Sequence, residues 1–528
     1  MAVVSGTIIA LSLLWEWAFL LMPLLLTLVY CTYYVYIHPL AKYPGPFLAK
    51  VTVLHAAYHA WKGDMHLDTW RCHKIYGPVV RYSPNHLIFE SPTAMREIYS
   101  LKANVNKATE YGNSGKSQAP NMVTILDKSE HAKRRKLAGP SFSSSNIKSF
   151  ESRLILYIQR FLNALHSPPG GGNSASPPSW SPAVDAADLC SYFTFDIMTD
   201  FLFGLQYNLL QDGQHRHIVH DIEDTHSRLF VMFHLPALYL GRLDKKLFPN
   251  AVRGAKGFLR FIDRCLKDHS HKSEKNQTTH LFSSFVEAKN GDCKPLLSQG
   301  ELHSEAVLFT TAGQDTTAVA LRAILFYLTR FPHAYRNLAH EIRSTFGPNE
   351  TICVDSKLKG CNYLSACLME SMRMSPVVGS IPYRRVQAGG ATFDGSYIPE
   401  GYNVGSAVYT IHHNETLFPR PFEFIPERWL VDENTTQEQV NRRTQSWIPY
   451  LIGPRACIGK SFAQTVLLLT VASLFQKYDF RVVDGPEGAK GSGHPLAEPG
   501  RTNPAEYQLR GYLVSTSVGP VIQLSPRA

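Results

Sequence analysis

Tyr450-Leu-Ile-Gly-Pro-Arg-Ala-Cys-Ile-Gly459 sets one cysteine, Cys457, in a glycine-punctuated loop directly ahead of an apolar helical run. A thiolate pushes electron density into iron, and backbone amides aimed at the sulfur tune that donation. Gly453 and Gly459 let the chain pass close to a flat partner, and Arg455 supplies a fixed positive charge two residues from the sulfur. A lone cysteine is more often a small buried hydrophobe. Its neighbours, not the cysteine itself, turn the reading toward a metal ligand.

Working outward, Ala312-Gly-Gln-Asp-Thr-Thr317 interrupts an apolar run, Val307 to Leu328, whose period is helical. Polar groups in the middle of a buried helix are costly unless something uses them. Glu370-Ser-Met-Arg373 puts opposite charges at i and i+3 on one helical face, and Phe424-Ile-Pro-Glu-Arg-Trp429 follows about fifty residues later. Upstream, His131-Ala-Lys-Arg-Arg135 is a basic helical stretch, and Pro382-Tyr-Arg-Arg-Val386 carries two adjacent arginines.

Together and in this order, these segments resemble the signatures of the cytochrome P450 superfamily. The cysteine loop matches F-x-x-G-x-R-x-C-x-G with Tyr450 in place of Phe, and the resemblance covers nearly the whole chain after about residue 40. It implies a mainly α fold with a minor β part, the cytochrome P450 fold, preceded here by an N-terminal transmembrane helix. It implies heme b, its iron held by Cys457 with Gly453 and Arg455 in the binding loop. Arg135, His131 (where the family usually has Trp) and Arg384 become candidate partners of the heme propionates, with Arg385 leaving the last choice open. Thr316 is assigned to bound dioxygen or its ordered water, Asp315 to proton supply, and Gly313 to a local widening of the helix. The alternative, a threonine bonded back to its own helix beside a salt-bridged aspartate, stays open. Glu370, Arg373 and Arg428 are expected to form a structural three-member network.

Composition agrees with a large globular body. The chain has 528 residues, 44% hydrophobic and 18% charged, with nine cysteines and no C-x-x-C pair, which argues against a disulfide framework or a cysteine-based structural zinc site. The net charge of +10 is scattered, so nucleic acid is not an expected partner. Ala18 to Ile37 runs without a charge and is long enough to span a bilayer. Lys42 and Lys50 follow it and no Lys or Arg precedes it, which predicts a single-pass anchor of the endoplasmic reticulum with a cytosolic body. The organisation expected is an anchor over 1–37, a proline-rich hinge over 38–50 and a catalytic domain over 51–528.

The resemblance implies a monooxygenase acting on an apolar small molecule. Phe193-Thr-Phe-Asp-Ile and Tyr82-Ser-Pro-Asn resemble filamentous-fungal members that act in secondary metabolism. With no Gly-rich dinucleotide fingerprint in the chain, electrons are expected from NADPH-cytochrome P450 reductase. Membrane lipid is the other expected partner. Candidate substrate contacts are Thr109 to Leu126, Leu229 to Leu240, Phe309, Ala312 and Val377 to Ile381, with Phe230 to Phe233 open between membrane contact and core. The alternatives are an oxidative coupling or rearrangement enzyme, or a non-catalytic heme-binding membrane protein.

Overall fold

Val79–Ser83 (β1) and His86–Phe89 (β2) flank Pro84-Asn85 and pair antiparallel, as their apolar patterning predicts. In this computed structural model, which describes residues 21–113, 119–167, 180–273, 281–288 and 296–527, they open a five-stranded sheet. The sheet continues with Val105–Lys107 (β3), Arg384–Val386 (β5) and Asn403–Gly405 (β8) in the order β1-β2-β8-β5-β3, parallel only between β2 and β8. Val184–Asp185 (β4), Tyr478–Val482 (β9) and Val521–Pro526 (β10) form a second sheet, and Ala391–Phe393 (β6) pairs with Ser396–Ile398 (β7).

Helices carry the rest. Those used below are α1 Leu54–Lys62, α2 Met65–Tyr76, α3 Lys128–Ala138, α4 Ser144–His166, α5 Ala186–Phe203, α6 His217–His234, α7 Pro249–Ser273, α8 Gln299–Arg330, α9 Pro332–Thr345, α10 Asn362–Met374 and α11 Lys460–Lys477. Helix α8 is 32 residues long and starts with a capping box between Ser298 and Glu301. Every residue from Thr317 to Leu328 is buried, so α8 runs through the core. At Gly313 the helix keeps α geometry instead of widening. The glycine serves packing, because a Cβ there would collide with the Met198 side chain of α5.

The expected anchor, Ala18 to Ile37, lies partly outside the described residues. From residue 21 to 37 the chain is helical and largely exposed, and no helix among the described residues is long and apolar enough to cross a membrane. Beyond it the proline segment is docked, not loose. Arg81 of β1 donates through Nη1 to the Tyr34 carbonyl at 2.7 Å, and its backbone amide donates to Pro44 at 2.7 Å. Phe230, Val231, Met232 and Phe233 are buried core residues, which settles them away from the membrane. Exposed apolar side chains occur instead at Leu240, Leu243 and Leu247, and at Phe47, Leu48, Leu54, Tyr58 and Trp61.

Candidate active site around Cys457

The cysteine loop is shaped by close approaches. Gly453 has φ of +73°, and a Cβ there would run into the carbonyl oxygen of Tyr99, so only glycine fits. The Cys457 amide donates back to Tyr450 O at 2.9 Å and closes the loop. Among the described residues Cys457 is the only exposed cysteine, although protein surrounds it on its remaining sides. Burial raises the pKa of its thiol, against which the amides of Gly459 and Lys460 and the charge of Arg135 act. These amides are the donors a thiolate ligand needs.

Beside the loop lies a cavity of about 440 Å³ whose walls include Gly453, Arg455, Arg135, His131, Arg384 and Lys107. No lining residue is acidic. The cations press on one another: burial and Arg384 bring the Arg455 pKa down to about 10, and burial with Arg384 and Arg455 depresses Lys107 well below its ordinary value. His131 is driven to about 4 by burial and the charges of Arg455, Lys107, Arg135 and Arg384, so it is a neutral imidazole at pH 7. A largely half-buried cationic cluster without a carboxylate calls for an anionic ligand. The residues therefore fit heme, a flat group with two carboxylates, beside a cysteine. Arg384 lines this cavity while Arg385 is exposed. Arg135 also donates to Ala456 O at 2.7 Å, joining α3 to the cysteine loop, and Arg455 donates to Leu126 O at 3.1 Å. Lys107 escaped the sequence reading because β3 carries no motif and reaches the cavity only by pairing with β5.

Behind the loop, Glu370 is fully buried and accepts from Arg373 (2.8 and 2.9 Å), Arg428 Nε (2.9 Å), Trp429 Nε1 (2.9 Å) and the Ile425 amide (3.0 Å). The network has one more side chain than expected, Trp429. Arg373 continues to His412 O at 2.8 Å, and His412 Nε2 accepts from the Ile448 amide at 3.1 Å, just ahead of the cysteine loop.

In α8, Ala312 is exposed and Thr316 half-buried, whereas Gln314, Asp315 and Thr317 beside them are buried. Thr316 Oγ1 donates to Ala312 O at 2.8 Å, which leaves its lone pairs free to accept. Asp315 is buried and turned the other way, with Oδ2 2.9 Å from His226 Nε2 of α6. The pair borders a space of about 10 Å³, room for roughly one water, shared with Glu223, Arg322 and Ser191. Phe309, expected at the substrate, is buried and packs on Phe142 and Phe285 at ring-centroid distances of 5.9 and 5.7 Å. Arg134, in the same basic stretch as Arg135, is buried on Glu305 (3.0 Å) and Glu301 (2.6 Å). No sequence pattern pointed to His226, whose spacing from Asp315 carries no periodic signal.

A cysteine loop, a cationic cavity and a long central helix with an acid–alcohol pair define a heme-thiolate protein. The cytochrome P450 family profile matches residues 42–491. Three curated relatives extend the match. The cytochrome P450 monooxygenase poxM of Penicillium oxalicum is 39% identical over 494 residues, 93% of this chain and 91% of that one. AKT7 of Alternaria alternata, also a cytochrome P450 monooxygenase, is 36% identical over 93% of this chain and 94% of its own. The monooxygenase atnE of Emericella nidulans is 35% identical over 94% of both. The chain belongs to the cytochrome P450 family, and its cofactor is heme b with a cysteine thiolate as axial ligand.

Proposed function

We propose that this cytochrome P450 is anchored in the endoplasmic reticulum membrane and oxidises an apolar small molecule of secondary metabolism, using dioxygen and electrons from NADPH through NADPH-cytochrome P450 reductase. The observation that carries the reading is the pairing of opposite exposures on adjacent residues: Thr316 is half-buried beside the exposed Ala312, while Asp315 is buried against His226 and borders the space shared with Glu223.

Heme held by Cys457 supplies the activation of dioxygen. The chain's own residues bind, orient and deliver protons. Arg135, Arg384, Arg455, Lys107 and the neutral His131 would hold the propionates, and the Gly459 and Lys460 amides would moderate the sulfur. The Thr316 hydroxyl holds a proton at the oxygen-binding side, and Asp315 with His226 replaces it from the Glu223 side. Exposed Lys133 and Lys136 on α3, with Lys460 beside the cysteine, offer an acidic reductase a cationic landing face on the thiolate side. Membrane attachment is supported by the exposed leucines from residue 21 onward and by the apolar group Phe47, Leu48 and Trp61 near the hinge.

The test is product analysis by mass spectrometry after candidate fungal metabolites are fed to microsomes containing this protein and a reductase. A product heavier by one oxygen atom, formed only with NADPH, is expected. Conversion without dioxygen or without the reductase would overturn the reading.

A further inference from the structure

Away from the heme cavity, helices α1 and α2 form a hairpin whose inner faces bring together His55, His59 and Asp68. His55 Nε2 lies 3.0 Å from Asp68 Oδ2, and His59 Nε2 lies 3.3 Å from Asp68 Oδ1. One donor atom from each lies within 4.8 Å of the other two. Three donors bound at about 2.1 Å in tetrahedral array stand roughly 3.4 Å apart, so little movement separates this arrangement from a coordination shell. We propose that His55, His59 and Asp68 form a binding site for a divalent cation of the zinc class, closing the α1–α2 hairpin onto strand β1.

The spacing supports it. His55 and His59 are i and i+4 on α1, so both imidazoles project from one face, while Leu54, Tyr58 and Trp61 take the exposed one. Gly63, with φ of +73°, turns the chain so that α2 returns alongside and presents Asp68. An outer layer then orients each donor. Asp64 Oδ1 stands 2.6 Å from His59 Nδ1, which directs Nε2 toward the site, and Asp64 is itself paired with Lys62 at 3.0 Å. Tyr82 of β1 donates to Asp68 Oδ2 at 2.8 Å. A carboxylate on the far nitrogen of a ligating histidine is the usual support of a metal site. Cys72, i+4 from Asp68 with Sγ 3.9 Å from Oδ2, borders the site, but burial and Asp68 hold its thiol protonated, so the two imidazoles and the carboxylate carry the proposal.

The test uses the heme-loaded full chain in detergent, stripped with a chelator and titrated with zinc, with metal per heme measured by plasma mass spectrometry. About one zinc per heme should survive dialysis, and His55→Gln or Asp68→Asn should weaken binding at least about tenfold with the carbon monoxide spectrum unchanged. Should either variant fail to fold, diethylpyrocarbonate labelling of wild type read by peptide mass spectrometry decides instead. Zinc should then protect His55 and His59 selectively. Zinc retained equally by the variants, or labelling of both histidines unchanged by zinc, would overturn the proposal.

Discussion

His226 Nε2 stands 2.9 Å from Asp315 Oδ2, so helix α6 is tied to α8 at the residue immediately before Thr316. Arg322 crosses the same interface to Glu223 at 3.3 Å, about two turns further along α8. Both links use side chains that are buried or nearly so on the α8 side. The histidine thus joins a buried carboxylate to the helix that carries the more exposed Glu223.

His226→Asn keeps a side chain of similar reach but cannot carry a proton. Product per NADPH consumed should fall by roughly an order of magnitude, less than the loss of a direct proton donor at about 10²–10⁴-fold. The carbon monoxide spectrum and substrate binding should be unchanged, and the solvent deuterium isotope effect on turnover should rise. Coupling equal to wild type would reduce His226 to a strut between helices.

The same pair sets a pH dependence. Burial alone would lower the His226 pKa, but the charge of Asp315, its hydrogen bond and Glu223 together raise it above the ordinary value. A raised folded pKa means that the stabilisation is complete below the unfolded value of about 6.5 and disappears as pH rises through the folded one. The melting temperature of wild type should therefore exceed that of His226→Asn most at pH 6 and least at pH 9, limits chosen about the ordinary histidine value. A gap independent of pH would mean that the imidazole is neutral throughout.

Glu370→Ala leaves Arg373, Arg428 and Trp429 without their shared acceptor in a fully buried place. Breaking a buried ionic network costs about 3–5 kcal/mol, a large part of the stability of a domain. The expected product is apoprotein or aggregate, seen as a missing band in the reduced carbon monoxide spectrum. A normal band would show that the loops ahead of Cys457 hold their shape without this network.

Much of the site was legible because its residues lie in short local patterns. Glu370 and Arg373 share a helical face, and Gly453, Arg455 and Cys457 fall within one loop, so spacing alone brings them together. Lys107, Trp429 and His226 were not legible, because each reaches its place through long-range packing of β3, of the turn after Phe424 and of α6. Gly313 shows a different limit. The resemblance implied a local widening of the helix there, whereas the structure uses its missing Cβ to seat Met198. Phe309 and Arg134 show a related limit: their burial against Phe142 and Phe285 and against Glu301 and Glu305 depends on which neighbour covers each face of the helix, which sequence spacing does not give.

Thr316 divides two readings that its sequence left open. Its hydroxyl is bonded to Ala312 O at 2.8 Å, the geometry of a helix-bending threonine, yet it is half-buried beside an exposed Ala312 in a buried helix. If bending were its whole role, Thr316→Ala would change stability slightly and chemistry not at all. If the hydroxyl holds the proton used after dioxygen binds, Thr316→Ala keeps heme and substrate binding but sends electrons to hydrogen peroxide or water. The measurement is product formed and hydrogen peroxide released per NADPH consumed, in wild type, Thr316→Ala and Thr316→Ser. Coupling should drop several-fold in the alanine variant, within the roughly 10²–10⁴ ceiling for a positioned proton donor, and recover in the serine variant, which restores the hydroxyl without the methyl group. Equal coupling in all three would move proton delivery to another group, with a hydroxyl of the substrate itself as the first to examine.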